Sequence, residues 1–261
     1  MTQPEHKVEI VRERRPQGVV AHVVYDNSKR LNIVNPPAID DLIAAFTTLS
    51  AEDDVRVVVL SGAGGKALIG GADIRHMVTL KTPEAARAFI THVHLLCQAI
   101  RDCPVPVIAR CEGYTLGAGL EVAAACDMRI ATESASFGMP EVRVGVPSVV
   151  EAALLPRLIG WGRTSVLLMA ADNIGARTAE AWGLVERVVK TSEIGQAVDA
   201  LVHSILEGAP RAVREQKALM RRWETLPLAQ AIEAGIDSFA RTVTTGEHTE
   251  RMGAFMNRKR G

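Results

Sequence analysis

The segment from Gly113 to Ala131 reads GYTLGAGLEVAAACDMRIA, and its residue pattern changes twice along its length. Its first part, residues 113–119, is rich in glycine and predicts a loop, because glycine tolerates backbone conformations that other residues avoid. The residues that follow, through Cys126, are mostly small and apolar apart from Glu121. This pattern predicts a helix. Residues 128–131 follow as a short strand pattern. The segment therefore predicts a loop, a helix that carries one carboxylate, and a strand.

Strands and helices alternate on both sides of this segment. Residues 55–60 are a nearly continuous β-branched run, which is typical of a strand covered on both faces. Helices are predicted to begin at Pro36-Pro37 and at Thr82-Pro83, and residues 16–18 predict a tight turn. The other predicted strands are residues 8–11, 19–25, 105–109 and one near 184–189. This alternation predicts an α/β fold, with a core over residues 1–195 and a helical region over residues 196–261.

The bulk composition is that of a globular protein without a dominant charge. The chain has 261 residues, 48% of them apolar, and 30 basic side chains balance 30 acidic ones. Zero net charge removes the long-range attraction that draws basic proteins to nucleic acid or anionic membranes. Residues 1–16 are charged and lack the apolar centre of a signal peptide. Cys97, Cys103, Cys111 and Cys126 have no CxxC spacing, so reduced thiols and a cytoplasmic location are expected.

Two glycine-rich loops fail as nucleotide-binding motifs. Residues 61–67 follow a strand, but a P-loop needs glycine where Leu60 stands and serine or threonine where Ala67 stands. Residues 117–122 begin like a dinucleotide fingerprint but have Val122 in place of the third glycine. Neither loop therefore predicts a phosphate cradle of these types.

The turn at residues 117–119 has two explanations that the sequence leaves open. It leads into a helix, whose first backbone N–H groups are free and can receive negative charge. Close packing alone would also explain its glycines. The small-residue turn at residues 70–73 has the same two explanations.

Two carboxylates are the candidates for chemistry. Glu121 lies on an otherwise apolar helix, and its neighbours one turn on, Ala124 and Ala125, are too small to shield it. Burial raises a carboxyl pKa and suits the group to general acid–base catalysis. Glu141 follows Pro140, and for this residue alone a solvated loop charge is the simpler explanation. The sequence does not show that the two carboxylates meet.

The remaining polar clusters predict no further chemistry. His92 and His94 are two residues apart on a helix, so they face different directions and make a poor metal pair. The basic stretch within residues 211–222 is interpreted as a solvated helix face, with RNA or phosphate contact as the minority alternative. No metal site is predicted.

Five ordered segments resemble the crotonase (enoyl-CoA hydratase/isomerase) superfamily over essentially the full chain. They read KRLN at residues 29–32, GGADI at 70–74, GYTLGAGLE at 113–121, CDMRIA at 126–131 and FGMPE at 137–141. The order and spacing of all five are far more specific than any single motif. The resemblance implies a spiral of ββα units whose C-terminal helices form a homotrimer, often paired as a dimer of trimers.

The resemblance also implies where an acyl-coenzyme A thioester binds. The backbone N–H groups of Ala72 and Ala118 would form an oxyanion hole. Family members usually carry glycine at the second position, and alanine keeps the N–H. Contacts to coenzyme A are expected from Lys29, Arg30, Leu31, Ile74 and Arg75, and in a neighbouring subunit's site from Phe255 and Lys259. Coenzyme A is part of the substrate, and no separate cofactor is expected.

The implied reaction is the reversible hydration of a 2-enoyl-CoA. Family hydratases carry two glutamates, whereas isomerases commonly rely on one. Glu121 would deprotonate the water and Glu141 would protonate Cα, while the oxyanion hole stabilises the enolate. The competing expectations are a double-bond isomerase, a thioester hydrolase and a non-enzymatic RNA-binding relative.

One departure from the family pattern concerns the acyl pocket. After Glu141 the family hydratases run to a Pro-Gly-x-Gly-Gly turn, whereas residues 145–151 here read GVPSVVE. The bulkier turn predicts a narrow pocket for short acyl groups, or for a β-heteroatom substrate such as methylthioacryloyl-CoA. Glu151 is interpreted as a charge in the first turn of a helix, with a third carboxylate at the site as the alternative.

Overall fold

Ten strands lie in two sheets within residues 6–258, the part of the chain that the computed structural model describes. They are β1 Lys7–Arg15, β2 Gly18–Asp26, β3 Val55–Gly62, β4 Ala67–Ile69, β5 Val107–Cys111, β6 Tyr114–Leu116, β7 Met128–Thr132, β8 Ser136–Gly138, β9 Ile174–Gly175 and β10 Arg187–Val189. The larger sheet has the order β1-β2-β3-β5-β7-β10. Its first two strands form an antiparallel hairpin around the predicted turn, and the others run parallel.

The chain crosses from the larger sheet to the smaller one three times in succession. β3, β5 and β7 lie in the larger sheet, and each is followed by a strand of the smaller sheet, which has the order β4-β6-β8-β9. Helices separate each pair of strands from the next. This repeated ββα arrangement confirms the predicted α/β fold.

Helices begin where the proline and capping patterns predict them. The α-helices are α1 Pro36–Ser50, α2 Ile74–Met77, α3 Pro83–Asp102, α4 Ala118–Ala125, α5 Leu155–Ile159, α6 Trp161–Ser165, α7 Ala176–Trp182, α8 Ile194–Glu207, α9 Pro210–Trp223, α10 Leu228–Thr242 and α11 Glu247–Arg258. The Asn35 side chain caps α1, and the Thr82 side chain caps α3 by accepting from the N–H of Ala85. None of the helices within residues 6–258 is long and apolar enough to span a membrane.

Strand β3 is buried from both sides, as its β-branched run predicts. Val55 and Val58 belong to the large core shared with α1, α3 and α4. Val57 and Val59 belong to a second core on the opposite face, which α8 covers with Val202 and its neighbours. Helix α8 thus packs directly on the sheet. The division of the chain at residue 195 stays a prediction.

Two local expectations are wrong, and both errors have a long-range cause. The predicted loop at residues 113–119 contains strand β6, because β4 and β8 pair with it from either side. The basic stretch within residues 211–222 is not a fully solvated face. Lys217 is buried with its Nζ 2.7 Å from a carboxylate oxygen of Asp127, and Arg221 donates to the other oxygen at 2.9 Å. These two ion pairs hold α9 against the turn that follows α4.

A buried arginine fixes the end of helix α4. Arg129 on β7 is 2% exposed, and its guanidinium donates to the carbonyl oxygens of Ala123, Cys126 and Leu184. It also pairs with Glu186. The arginine therefore joins the helix to the segment that leads into β10.

Replacing Arg129 with methionine is expected to lower the free energy of unfolding by about 3 kcal/mol, because buried carbonyl groups lose their donor. Denaturation with urea, followed by circular dichroism, measures this change. Arg177→Met is the control, since Arg177 is exposed and forms a surface pair with Glu180. Equal effects of the two substitutions would contradict the structural role of Arg129.

Candidate active site

The smaller sheet aligns the three segments that the sequence singles out. β4, β6 and β8 run parallel, so their carboxyl ends lie at one edge of that sheet. Ala72 follows the end of β4, Ala118 follows β6, and Glu141 follows β8. Strand pairing therefore brings together residues that are far apart in the chain.

Two glycines allow these segments to approach each other closely. A Cβ atom at Gly119 would lie 2.0 Å from the carbonyl oxygen of Ile69, so the start of α4 packs directly on the end of β4. Gly117 has a φ of +53°, and a Cβ atom there would lie 2.6 Å from Oε1 of Glu141. Close packing therefore explains these glycines. It leaves the N–H groups at the start of α4 in place.

The backbone directions of Ala118 and Ala72 suit both residues to donate hydrogen bonds to a ligand. Ala118 is the first residue of α4, and the N–H groups of a first helical turn have no partner within the helix. Ala72 forms an isolated parallel bridge with Val34, in which Val34 donates to Gly71 at 2.9 Å and accepts from Asp73 at 2.8 Å. The middle residue of such a bridge turns its own N–H away from the partner strand.

Glu121 is a buried carboxylate in the first turn of α4. It is 4% exposed, and the backbone N–H groups of Val149 and Ala152 lie near enough to oppose part of the rise in its pKa. Loss of hydration raises the pKa of Glu121 to about 8, and the nearby charges of Glu141 and Glu151 add to that increase. The burial that its apolar neighbours predict is confirmed. A carboxyl group with this pKa exchanges protons near neutral pH.

Glu141 is half-buried and held in place. It begins a 3₁₀ turn, Glu141–Val144, directly after Pro140. Its Oε2 accepts a hydrogen bond of 2.9 Å from the Ser148 hydroxyl, and its Oε1 adjoins Gly117. The interpretation as a solvated loop charge is therefore wrong. Sequence reasoning missed Ser148, because a serine seven residues further on belongs to no motif.

Glu151 is the third carboxylate of the cluster. It lies in the first turn of a 3₁₀ helix, Val150–Leu154, as its sequence pattern predicts. That helix packs against α3 and α4, so the side chain is only 6% exposed, and its charge contributes to the raised pKa of Glu121. The interpretation as a charge in the first turn of a helix is confirmed, although the residue is buried. A third carboxylate at the site stays a prediction.

The histidines of α3 face different directions, as predicted. Nε2 of His92 lies 2.7 Å from Asp40, whereas Nδ1 of His94 lies 2.9 Å from Oε1 of Glu151. Within residues 6–258, no group of three or more histidine, cysteine, aspartate or glutamate side chains is arranged to hold a metal ion. The cysteines at positions 97, 103, 111 and 126 are free and buried, which confirms the expectation for the thiols.

The structure also joins the two turns that were expected to meet coenzyme A. The guanidinium of Arg30 donates to Asp73 at 2.9 Å, and the N–H of Gly70 donates to the carbonyl of Leu31 at 2.9 Å. The turn at residues 29–31 therefore lies on the turn at residues 70–75. The other predicted residues of this cluster have exposed side chains: Lys29, Ile74 and Arg75.

Phe255 and Lys259, the two residues predicted to contact coenzyme A in a neighbouring subunit, lie at the C-terminal end of the chain. Phe255 lies on α11 and is 60% exposed. Lys259 lies outside the described residues. The role of both residues at a neighbour's site stays a prediction.

Comparisons with known proteins agree with this geometry. The family model described as enoyl-CoA hydratase/isomerase matches residues 15–261. The chain is 32% identical to the short-chain-enoyl-CoA hydratase of Clostridium acetobutylicum, over 94% of each chain. It is also 32% identical to the crotonyl-CoA hydratase of Syntrophomonas wolfei, over 96% of each chain.

Solved structures show the same fold. An enoyl-CoA hydratase/carnithine racemase from Magnetospirillum magneticum superposes with a TM-score of 0.88 and 34% identity, over 96% of this chain and 92% of that one. An enoyl-CoA hydratase from Bacillus anthracis superposes with a TM-score of 0.89 and 28% identity, over 96% of both chains. The likeness extends over nearly the whole chain.

Proposed function

The chain belongs to the enoyl-CoA hydratase/isomerase family, and we propose that it is a hydro-lyase that adds water to the double bond of a short 2-enoyl-CoA. One arrangement supports the proposal most: Glu121 lies on α4, which begins at Ala118, Glu141 adjoins Gly117, and Ala72 follows the neighbouring strand β4. The names of the two hydratase relatives support the same reaction.

The chemistry depends on placing negative charge on the thioester oxygen. The N–H groups of Ala72 and Ala118 would hold this oxygen, and one such donor typically contributes about 3 kcal/mol to the transition state. Glu121 takes a proton from water while the water oxygen bonds to Cβ and the π electrons move to form the enolate. Glu141 then gives a proton to Cα. After the reaction Glu121 is protonated and Glu141 is ionised.

The surroundings of the two carboxylates support these separate roles. Burial makes Glu121 a stronger base than an ordinary glutamate, because its pKa is raised to about 8. Glu141 is half-buried, and the Ser148 hydroxyl holds its carboxylate in place by a hydrogen bond. Glu121 is thus suited to take a proton, and Glu141 has a fixed position from which to act on Cα.

We also propose that the pocket for the acyl chain is narrow. Val149 lies beside Glu121, and the next residue, Val150, has a φ of +39°. A β-branched residue in this conformation is strained, and such strain concentrates at functional sites. Two valines in a turn this close to the carboxylates favour short acyl chains.

A panel of acyl-CoA substrates tests the proposed reaction and its chain-length preference. Crotonyl-CoA is expected to lose its conjugated-thioester absorbance fastest and to yield the 3-hydroxyacyl-CoA, with slower turnover of long 2-enoyl-CoAs. Methylthioacryloyl-CoA belongs in the panel as the β-heteroatom substrate that the same pocket would admit. Release of free coenzyme A thiol from crotonyl-CoA, or formation of a 3-enoyl-CoA only, would contradict hydration.

A homotrimer is the proposed assembly. Helix α10 buries Ala231 and Ala234 and packs against α9, but its other face exposes large apolar side chains at helical spacing. They are Leu228, Ile232, Ile236 and Phe239, and the exposed Val243 follows directly after the helix. An apolar stripe of this size is typical of a protein interface.

Replacing both Ile232 and Phe239 with glutamate is expected to dissociate the assembly, because a buried interface does not accept unpaired charges. Light scattering after size-exclusion chromatography measures the mass, which for the wild type should be three or six times 28.1 kDa. Val11→Glu, at an exposed valine on β1, is the control. A wild-type protein that elutes as a monomer would contradict the proposed trimer.

A further inference from the structure

The proposed hydration leaves a proton on a buried group, and the following inference rests on that proposed function. Each turnover adds a proton to Glu121 and removes one from Glu141. Glu141 is half-buried and can exchange with solvent, whereas Glu121 is 4% exposed. An acyl-CoA product bound against Glu121 covers the side of the carboxylate that faces the substrate. Release of the proton before product departure therefore needs a route that does not pass through the product.

Glu151 lies on the 3₁₀ helix that packs against α4, the helix of Glu121, and against α3. Its negative charge acts on the Glu121 carboxylate and adds to the raised pKa of that group. Oε2 of Glu151 is buried and has no hydrogen-bond partner among residues 6–258. A buried carboxylate oxygen without a partner is costly, so its retention beside a reacting group indicates a use.

The other oxygen of Glu151 leads to solvent. Oε1 lies 2.9 Å from Nδ1 of His94, and the His94 side chain is 46% exposed. Imidazole can accept a proton on one ring nitrogen and release one from the other. Glu151 and His94 therefore form a hydrogen-bonded pair that reaches from the buried carboxylates to the surface.

The other ionisable groups near Glu151 do not offer an equivalent route. Cys97 on α3 is fully buried, and burial with the neighbouring carboxylates raises the pKa of its thiol well above the ordinary value. Glu141 is engaged elsewhere, because its Oε1 adjoins Gly117 and its Oε2 accepts from Ser148. His94 is thus the group beside Glu151 that can exchange protons with water.

We propose that Glu151 and His94 form a proton-transfer pair that carries the proton from Glu121 to solvent after each hydration. The O–H bond of Glu121 breaks as an O–H bond forms on Glu151, directly or through one water molecule. Glu151 then gives the proton to Nδ1 of His94, and the proton on Nε2 leaves to water or to a buffer base. Exchange with solvent restores the starting tautomer. His94 and Glu151 touch neither substrate nor product and act through Glu121.

The pair could instead serve only to anchor the Val150–Leu154 helix on α3, and the two roles predict different kinetics. A proton-transfer role predicts that His94→Gln lowers kcat for crotonyl-CoA by about tenfold at low buffer concentration, with little change in KM. Added imidazole, a small base that replaces the lost group, should restore most of this loss. Glu151→Gln should lower kcat by a similar factor. Added imidazole should not restore its kcat, because position 151 is buried and imidazole cannot reach it.

His92→Gln is the matched control, since this histidine lies on the same helix and pairs with the exposed carboxylate of Asp40. Its kcat should equal that of the wild type at every buffer concentration. Wild-type kcat in His94→Gln, or a loss that imidazole does not restore, would overturn the proton-transfer pair while leaving hydration intact. A wild-type chain that hydrates no member of the substrate panel would overturn the proposed function, and this inference with it.

Discussion

Replacing Glu121 with glutamine is expected to lower kcat for crotonyl-CoA hydration by about 10³-fold, because the water loses its general base. Glutamine has nearly the same shape and size, so the packing around this buried position should persist. The loss should therefore appear in kcat more than in KM. The decrease in conjugated-thioester absorbance measures it.

The same variant separates a hydratase from a double-bond isomerase. An isomerase that relies on Glu141 alone would keep its activity toward a 3-enoyl-CoA in Glu121→Gln. Glu141→Gln provides the complementary variant and should lose both activities. Unchanged hydration in Glu121→Gln would show that the two carboxylates do not work as a pair.

Glu121→Gln is also expected to make the fold more stable at high pH. The pKa of Glu121 is raised from an ordinary 4.5 to about 8, so between these values the folded chain binds more protons than the unfolded chain. The stability that this group contributes is complete below pH 4.5 and is lost as the pH rises through 8. A shift of this size corresponds to about 5 kcal/mol. Melting curves should show the largest excess stability of the variant above pH 8.

Replacing Ala118 with proline is expected to lower kcat by about 10²-fold or more, because proline removes one of the two proposed oxyanion donors. Ala118 is the first residue of α4, a position at which helices accept proline without losing a hydrogen bond. The preceding Gly117 has a φ of +53° and a ψ of −122°, the mirror image of an extended conformation, which glycine can adopt before proline. The fold should therefore persist.

Ala118→Gly distinguishes the lost donor from a disturbed helix. It keeps the N–H and removes only the methyl group, so its loss of activity should be far smaller than that of Ala118→Pro. Circular dichroism and melting temperature check that both variants fold. Equal kcat values for a folded Ala118→Pro and for the wild type would contradict an oxyanion role for this residue.

Features that depend on local pattern could be predicted from the sequence. Each of these features is encoded within a few consecutive residues. Examples are the β-branched run of β3, the prolines that begin α1 and α3, and the carboxylate on the apolar helix α4. The burial of Glu121 follows from such a pattern, because the residues around it on α4 are apolar or small.

The remainder of the site depends on contacts between distant segments. Ser148, His94 and Glu151 gain their partners only because the turn after Glu141 folds back onto α3 and α4. A single glutamate in a loop gives no local sign of whether it will be buried or solvated. Strand β6 is hidden for the same reason, since its three residues become a strand by pairing with β4 and β8.

The most direct test of the central claim is the incubation of wild-type protein with crotonyl-CoA in D₂O, followed by mass spectrometry of the acyl-CoA product. Water addition with protonation at Cα predicts a 3-hydroxybutyryl-CoA that carries one deuterium at Cα. The same incubation with Glu121→Gln should leave the substrate unchanged. Recovery of unreacted crotonyl-CoA from the wild type, or of free coenzyme A without the hydroxyacyl product, would contradict a paired-carboxylate hydratase.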